Sequence, residues 1–294
     1  MSLQTMRSLL FVPADGGSKL DKAMASGADA VILDLEDSIT PERKEHARAA
    51  ALEFLKAVSG KPQRPRLLVR INGLDTGMTD ADLDAIVAGK PDAVVFPKAE
   101  GGATVIHLDA KLTAREAIAG LPEGSIKILA QAVESAAGLF AAGNYRDASK
   151  RLIGMTWGPE DLSAELGAET NRDTQGLLTE PYRLARNICL YGAAAAKLPA
   201  IETIYADFRN LEGLRRDTDE ARRDGFAGRL AIHPAQVAVI NEVFTPTAAQ
   251  IEKAKMVVAA FAAKPDAGAV GIDGKMYDRP HLIRAQRLLN SVKQ

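Results

Sequence analysis

The chain has 294 residues, with 37 basic and 38 acidic side chains and a formal net charge of −1 at pH 7. This balance gives no electrostatic basis for nucleic acid or a membrane surface as the main partner. The single cysteine, Cys189, excludes a disulfide framework within the chain and favours a reducing, cytoplasmic location. No segment reaches the length of a membrane span, and the first apolar run is too short for a signal peptide.

Short, β-branched apolar runs recur along the chain, and helix-like segments lie between them. The runs cover residues 8–13, 30–36, 66–72, 93–99, 126–134, 151–158, 201–205 and 229–234. Near-continuous apolar runs of this length predict parallel strands that are buried on both faces. Eight alternations of strand and helix predict an α/β fold, a (β/α)8 TIM barrel. An open doubly wound sheet is the alternative, but it usually has fewer strands, and no GxGxxG follows the first run.

The last fifty residues do not repeat the strand–helix unit. Thr245-Pro246-Thr247 predicts the start of a helix that runs to about Ala263. A loop or hairpin rich in glycine and aspartate follows, and a final helix is expected from about His281. We therefore divide the chain into a TIM-barrel catalytic domain, residues 1–245, and a C-terminal helical extension, residues 246–294.

The ends of the predicted strands carry an unusual set of polar residues. In strand order they are Asp34, Glu36 and Asp37, then Arg70 and Asn72, then Lys98, Glu134, Asp161 and His233. In a TIM barrel these ends form the active-site rim. Residues two apart on a strand share a face, so Arg70 and Asn72 are expected to point together, as are Asp34 and Glu36. Carboxylates this close to one another need a cation to neutralise them.

Two of these carboxylates, Glu134 and Asp161, are the candidate metal ligands. Each stands alone at or just past the end of an apolar strand. No HExxH motif or Cys/His cluster suggests zinc, and a pair of carboxylates suits Mg²⁺, which keeps several waters. The alternative for any one acid, including Asp161 and Asp37, is a helix cap or a surface salt bridge. Gly158-Pro159-Glu160-Asp161 also predicts a helix N-terminus that can receive a substrate carboxylate.

Four other rim residues are interpreted as follows. Lys98 stands where a Schiff-base aldolase would carry its lysine, although the paired carboxylates favour a metal. His233 either contacts a ligand or packs against the backbone. Trp157 is interpreted as a wall of the pocket. Glu36 is expected to hold a metal-bound water or Arg70, with Asp34 or Asp37 behind it.

Eight segments together resemble the citrate lyase β-subunit-like family of the HpcH/HpaI aldolase group, which includes the malyl-CoA and citramalyl-CoA lyases. They are RSLLFVP, AVILDLEDSI, VRIN, VVFPK, AVESAAGL, WGPEDLSAELG, GFAGRLAIHPAQV and GKMYDRPHLIRAQRLL. The resemblance implies a Mg²⁺-dependent carbon–carbon lyase that cleaves, or condenses in reverse, a β-hydroxy acyl-CoA thioester. Its products would be an acyl-CoA and a 2-oxo acid. The alternatives are a citrate lyase β subunit acting on a citryl-acyl-carrier-protein thioester, and a non-catalytic CoA-binding module.

The resemblance also implies roles for matching residues. Glu134 and Asp161 correspond to metal ligands, and Arg70 to the clamp on the substrate carboxylate or thioester oxygen. Asp278 corresponds to a catalytic acid/base that the lid of a neighbouring subunit supplies, which implies a homotrimer. The residues implied to contact CoA are Lys19 and Lys22, at its phosphates, and Ile232 and His233, beside the acyl-thioester channel. Two departures are Pro159, where relatives often have alanine, and Gly-Gly-Ser in the loop after the first strand, where several relatives are more basic.

Overall fold

The computed structural model describes residues 6–292. Eight parallel strands form a barrel in the order β6-β5-β4-β3-β2-β1-β8-β7. A parallel bridge between Met155 and Ala200 joins the two ends of this order. The strands are β1 Ser8–Pro13, β2 Ala30–Asp34, β3 Arg66–Arg70, β4 Ala93–Phe96, β5 Lys127–Val133, β6 Leu152–Trp157, β7 Ile201–Glu202 and β8 Gly228–Ala231. The predicted (β/α)8 TIM barrel is confirmed.

Nine helices belong to the barrel in the described part of the chain. They are α1 Ser18–Met24, α2 Lys44–Val58, α3 Thr79–Ile86, α4 Gly102–Ile118, α5 Ala136–Ala141, α6 Pro159–Leu166, α7 Glu180–Ala195, α8 Leu211–Asp224 and α9 Pro234–Phe244. Side-chain caps start several of them: Ser135 accepts the N–H of Gly138, and Asn210 accepts that of Gly213. The sequence patterns did not predict α1 or α9. No helix in residues 6–292 is long and apolar enough to span a membrane.

Alternate strand residues fill the interior of the barrel. Leu9, Ile32 and Leu68 belong to this inner cluster, and each is shielded from solvent. Burying such a side chain contributes about 1.5–3 kcal/mol. The same alternation continues to the strand ends, so Asp34 and Arg70, two residues after Ile32 and Leu68, lie on the inward face. The barrel interior therefore opens onto charged residues at its C-terminal mouth.

The C-terminal extension has two helices around a hairpin: α10 Ala248–Ala262, β9 Ala269–Ile272, β10 Lys275–Asp278 and α11 Arg279–Val292. Asp273 and Gly274 turn the hairpin with φ values of 48° and 73°, as a two-residue turn with positive φ requires. The extension has a small apolar cluster of its own, which includes Phe261 and Val270. Its final helix begins two residues before the predicted start at His281.

Candidate active site

A bidentate ion pair joins the ends of β2 and β3. Arg70 Nε donates to Asp34 Oδ1 at 2.7 Å, and Arg70 Nη2 donates to Asp34 Oδ2 at 2.8 Å. The Asp34 carboxylate also accepts the N–H groups of Glu36 and Ser38, at 2.9 and 3.1 Å. Burial alone would raise the pKa of Asp34, but Arg70 and these N–H groups hold it below its ordinary value. Asp34 therefore stays ionised and fixes the plane of the guanidinium.

Arg70 serves more than one carboxylate. Its Nη1 atom lies 3.0 Å from Glu36 Oε2 and 3.2 Å from Asp37 Oδ2. The guanidinium also lies over the ring of Phe11, with 4.8 Å between its carbon and the ring centroid. Glu36 and Asp34 do share one partner, as their spacing predicted. One cation is thus divided among three acids.

Lys98 links Glu36 to one further acid, Asp161, across the mouth of the barrel. Its Nζ atom lies 3.4 Å from Glu36 Oε1 and 3.5 Å from Asp161 Oδ1. Burial raises the pKa of Glu36 to about 7, against the opposing charges of Arg70 and Lys98. The surrounding carboxylates, in turn, outweigh partial burial and raise the pKa of Lys98 above its ordinary value. A lysine held as an ammonium is a poor nucleophile, so the geometry disfavours the Schiff-base alternative.

Glu134 is as deeply buried as Asp34, with 2% of its surface exposed. One carboxylate oxygen accepts the backbone N–H of Lys98, and the other accepts the side-chain amide of Gln131. Burial and the charge of Glu36 raise the pKa of Glu134 to about 8, and Asp161 adds to this effect. The site therefore carries more negative charge than its own arginine and lysine neutralise.

The residues around Glu134 leave room for a small cation. A Cβ atom at Gly158 would lie 3.2 Å from Glu134 Oε2 and 3.3 Å from Gln131 Nε2, so glycine keeps this side of the carboxylate clear. Gln131 Oε1 is a buried acceptor without a partner. Residues 6–292 contain no group of three or more His, Cys, Asp or Glu residues able to hold a metal. Two carboxylates with open positions fit Mg²⁺ better than a fully protein-ligated ion.

Asp161 reaches this site because α6 begins immediately after β6. Gly158 precedes the helix, Pro159 occupies its first turn, and Glu160 and Asp161 follow in that turn. Burial raises the pKa of Glu160. Asp161 is about one-third exposed and lines the cavity, as the sequence predicted for a residue just past a strand end.

A cavity of about 400 Å³ opens between these residues and the strands on the other side of the barrel. Its walls have two characters. The side formed by β2, β3 and α6 presents Asp34, Arg70 and Asp161, whereas the side formed by β1, β7 and β8 presents apolar groups. The apolar lining residues are Phe11, Val12, Ile204, Leu230 and Ile232. A ligand with one charged and one apolar end would fit this division.

The residues implied to contact CoA lie at or near the same mouth. Lys19 and Lys22 are exposed on α1, directly after β1. Ile232 lines the cavity and is 37% exposed. His233 caps α9 through a ring nitrogen that accepts a backbone N–H at 3.2 Å, and its ring stacks on Phe208 at 4.8 Å. The cap and the stacking on Phe208 agree with the interpretation that His233 packs against the protein. Its ring is nevertheless exposed, and the residue follows Ile232 of the cavity lining, so a contact with a ligand is also open to it.

Asp278 lies in the C-terminal extension. Its carboxylate is paired with His281, which lowers the pKa of Asp278. Asp278 does not line the cavity of the described chain. Leu288 and Val292, further along α11, instead line a groove with Arg7, which precedes β1 and so lies at the opposite end of the barrel. A single chain does not bring Asp278 together with the rim.

One sequence prediction about the rim is wrong. Asn72 does not point with Arg70, because β3 ends at Arg70 and the chain then turns. The backbone N–H of Asn72 donates to Asp82 at 2.6 Å, and its side-chain oxygen accepts Lys44 Nζ at 2.8 Å. Asn72 is therefore buried among α2 and α3 and supports the loop after β2, whose Leu35 carbonyl also accepts Lys44.

Sequence reasoning also missed two residues. Gln131 contacts Glu134, and an amide inside the apolar run ILAQAV was the available signal. Glu202 accepts the indole N–H of Trp157 at 2.6 Å. Nothing in the local sequence connects these two positions, which lie 45 residues apart.

Residues 7–234 match the profile described as HpcH/HpaI aldolase/citrate lyase. The chain belongs to this family. Citrate lyase subunit beta of Leuconostoc mesenteroides subsp. cremoris is 34% identical over 285 residues, which cover 96% of this chain and 92% of that protein. A (3S)-malyl-CoA thioesterase of Cereibacter sphaeroides is 35% identical over 287 residues, covering 96% and 93%.

The fold is shared with solved structures of the family. CitE from Mycobacterium tuberculosis, in complex with magnesium, acetoacetate and coenzyme A, has a TM-score of 0.79 and 31% identity. The similarity covers 99% of this chain and 100% of that chain. The predicted family and its lyase class are confirmed.

Proposed function

We propose that this chain is a Mg²⁺-dependent carbon–carbon lyase for a β-hydroxy acyl-CoA thioester of malyl or citramalyl type. It would cleave this thioester to an acyl-CoA and a 2-oxo acid, or condense them in reverse. The observation that carries the proposal is that Glu134 and Asp161 both contact Lys98, one at its backbone N–H and the other at Nζ, while Asp161 and Arg70 line a half-apolar cavity. The magnesium and coenzyme A bound by the related CitE support it. The free, buried Cys189 is compatible with a cytoplasmic location.

Glu134 and Asp161 would hold the metal. Gly158 leaves the side of Glu134 open, and the excess negative charge of the rim calls for a cation. When bound, Mg²⁺ supplies Lewis-acid polarisation of the substrate oxygens. The free N–H groups at the start of α6 would receive the carboxylate of the 2-oxo acid portion. The side of the cavity lined by β2, β3 and α6 thus binds the oxygen-rich end of the substrate.

Arg70 would stabilise the negative charge that cleavage creates. Asp278, acting as the acid/base, would accept the hydroxyl proton as the carbon–carbon bond breaks, and the electrons of that bond would move onto the thioester carbonyl as an enolate. A guanidinium held in one plane by Asp34 is already oriented for that oxygen, so it needs little reorganisation. Glu36 would orient the remaining Arg70 nitrogen, which lies 3.0 Å from its carboxylate. The enolate carbon then takes a proton.

Asp278 is the proposed proton donor, supplied by a neighbouring chain of a homotrimer. Its pairing with His281 in an extension that is anchored towards the opposite end of the barrel disfavours delivery within one chain. Closure of such an extension over the cavity would also exclude water from the enolate. Lys22 and Lys19 would contact the CoA phosphates, and Ile232 and His233 would flank the acyl-thioester channel.

The charge of the cavity favours malyl or citramalyl thioesters over a citryl thioester. Among the described residues Arg70 is the one cation that lines the cavity, and it already contacts three carboxylates. Lys98 is likewise engaged by Glu36 and Asp161. The extra carboxylate of a citryl group would lack a partner, which is costly in a desolvated site. The same reasoning disfavours the citrate lyase β-subunit alternative.

The decisive experiment offers the purified protein malyl-CoA, citramalyl-CoA and citryl-CoA with Mg²⁺. Mass spectrometry would follow the 2-oxo acid, the acyl-CoA and any free CoA. We expect Mg²⁺-dependent cleavage of malyl-CoA or citramalyl-CoA, lowered by about 10²–10³-fold in Asp161→Ala, since the metal loses a ligand. Glu169→Ala, at an exposed acid just past the end of α6, is the matched control and should keep its activity. Failure to cleave any of the three by protein that binds Mg²⁺ would refute the proposed substrate class.

A further inference from the structure

The barrel is joined least securely between β6 and β7. Neighbouring strands elsewhere pair over at least two positions, from two between β7 and β8 to five between β1 and β2. Between β6 and β7 the described pairing is the single bridge of Met155 and Ala200, with a hydrogen bond from Met155 N–H to the Pro199 carbonyl at 3.0 Å. This seam is therefore without a backbone ladder at the rim, where β6 ends at Trp157.

A buried side-chain bridge closes the seam at that level. Trp157 Nε1 donates to Glu202 Oε1 at 2.6 Å, and the same oxygen accepts the Thr203 N–H at 2.9 Å. Trp157 and Glu202 are 0% and 1% exposed. Trp157 and Thr203 both line the cavity. One carboxylate oxygen thus ties together the two strand ends that form this part of the cavity wall.

The other Glu202 oxygen is fixed from outside the barrel. Arg186, on α7, donates through Nε to Glu202 Oε2 at 2.6 Å and through Nη1 to Asp224 at 2.8 Å. Its guanidinium lies over the ring of Phe226, 4.7 Å from the centroid. Glu202 is therefore held rigidly between Arg186 and Trp157, and both of its oxygens act as acceptors.

The position of Trp157 affects the proposed metal site through the chain itself. Gly158 follows it, and the Gly158 N–H donates to the Val133 carbonyl at 3.0 Å, next to Glu134. Helix α6, with Asp161 in its first turn, begins at the next residue. A shift of the indole would move both the wall beside Glu134 and the helix that carries Asp161. Displacements of about 1 Å can cost about 10²-fold in rate.

We infer that Glu202 is a positioning residue that closes the β6–β7 seam through Trp157 and so keeps Asp161 opposite Glu134. The structural part of this inference is independent of the reaction, and its catalytic consequence rests on the proposed function. Glutamate is specifically required, because its carboxylate accepts from Arg186 on one side and from Trp157 on the other. A glutamine has one acceptor oxygen, and the charged Arg186 competes for it more strongly than the neutral indole, so the contact with Trp157 is the one that breaks.

Glu202→Gln tests the inference, with Glu116→Gln as the matched control. Glu116 is an equally buried glutamate that accepts two Arg151 hydrogen bonds, at 2.8 and 2.7 Å, but it does not touch the rim. The chain has one tryptophan, so intrinsic fluorescence reports on Trp157 alone. At temperatures where both variants are folded, we expect the emission maximum to shift in Glu202→Gln and to stay unchanged in Glu116→Gln. Titration calorimetry with Mg²⁺ alone should show about 10-fold weaker binding only in Glu202→Gln.

Wild-type emission together with wild-type Mg²⁺ affinity in folded Glu202→Gln would overturn the inference. Should that variant fail to fold, Trp157→Phe removes the N–H donor and keeps an aromatic ring, and it should also bind Mg²⁺ about 10-fold more weakly. Unchanged affinity in Trp157→Phe would again overturn it. A wild-type protein without lyase activity would refute the proposed function, yet the emission comparison would still decide the role of Glu202.

Discussion

Two buried clusters of charge occupy opposite ends of the barrel, and they differ in how completely they are neutralised. At the N-terminal end, Arg151 donates to Glu116 at 2.8 and 2.7 Å and also to Asp109. Glu116 accepts further N–H groups from Gly124 and Ile126, at 2.8 and 2.7 Å. These contacts outweigh burial and lower the pKa values of Glu116 and Asp109. We call this group of Arg151, Glu116 and Asp109 the N-terminal cluster.

At the C-terminal mouth, the rim cluster of Asp34, Glu36, Arg70, Glu134 and Asp161, with Lys98, has the opposite character. Burial raises the pKa of Glu36 to about 7 and that of Glu134 to about 8. Both clusters are largely buried, so burial alone does not distinguish structure from function. The difference is that the rim cluster lacks positive charge, which a ligand must supply, and unmet charge of this kind is typical of functional sites.

Removing the arginine of each cluster should have the largest effect, and on different properties. Arg70→Met should lower the lyase rate by about 10²–10³-fold, because the enolate loses its preorganised donor. Steady-state kinetics would measure this loss, with the thioester that the wild-type protein cleaves in the experiment described above. The loss should appear mainly in kcat, since the arginine acts on charge that develops during cleavage.

Arg151→Met is the matched substitution in the N-terminal cluster. The folded fraction of this variant should keep the wild-type kcat. Arg70→Lys sharpens the comparison, because it keeps the charge and loses the bidentate contact with Asp34. Full activity in Arg70→Lys would show that planar orientation of the guanidinium is unimportant.

For the free energy of unfolding we expect the opposite ranking of the two variants, with the larger loss in Arg151→Met. Arg151→Met should lower the free energy of unfolding by about 3–5 kcal/mol, because Glu116 would be left ionised and fully buried. Arg70→Met should cost less, since Asp34 lines the open cavity, where water can solvate it, and Lys98 still neutralises Glu36. Urea unfolding monitored by circular dichroism would compare the two variants. An equal or larger loss in Arg70→Met would contradict the proposed contrast between the clusters.

Much of this architecture could be predicted from the sequence because it depends on short-range patterns. Apolar runs predicted the strands, and same-face spacing brought Asp34 and Glu36 towards one partner, Arg70. The prediction for Asn72 was wrong because it extended the strand periodicity past Arg70, where β3 ends. Beyond that point the backbone N–H of Asn72 donates to Asp82 and not to a neighbouring strand. Lys98 adopts a left-handed conformation, with φ of 46°, which no apolar pattern reveals. Such a conformation is uncommon for a non-glycine residue.

Long-range contacts were the other limit. The contact of Glu202 with Trp157 crosses a seam between two strand ends, and the pair has no sequence spacing that would suggest it. The same holds for the pairing of Arg151 with Glu116, which joins the residue before β6 to α4. The sequence indicates that a buried acid needs a partner, but the identity of that partner depends on which residues the folded barrel brings together.

The smallest expected effect is a pair of opposite pH dependences in the metal-free protein. The folded pKa of Glu116 is below its ordinary 4.5, so its stabilisation is present above that pH and is lost as the pH falls through the folded value. Glu134 has a folded pKa of about 8, above its ordinary 4.5, so the folded chain retains a proton that the unfolded chain releases. The contribution of Glu134 therefore weakens as the pH rises from about 4.5 to about 8.

Thermal unfolding in EDTA across this pH range should separate the two clusters, with Tm changes of a few degrees. Glu116→Gln should remove the fall in Tm at acid pH and leave the neutral-to-alkaline part of the Tm–pH curve unchanged. Glu134→Gln should remove the decline in Tm towards alkaline pH and leave the acid part unchanged. Saturating Mg²⁺ should abolish the alkaline decline of the wild type, because a bound cation favours ionised carboxylates and binding then releases protons. If Glu134→Gln retained the alkaline decline, the negative charge that destabilises the metal-free rim would have to lie elsewhere, and Glu36, with its pKa of about 7, would be the next residue to substitute.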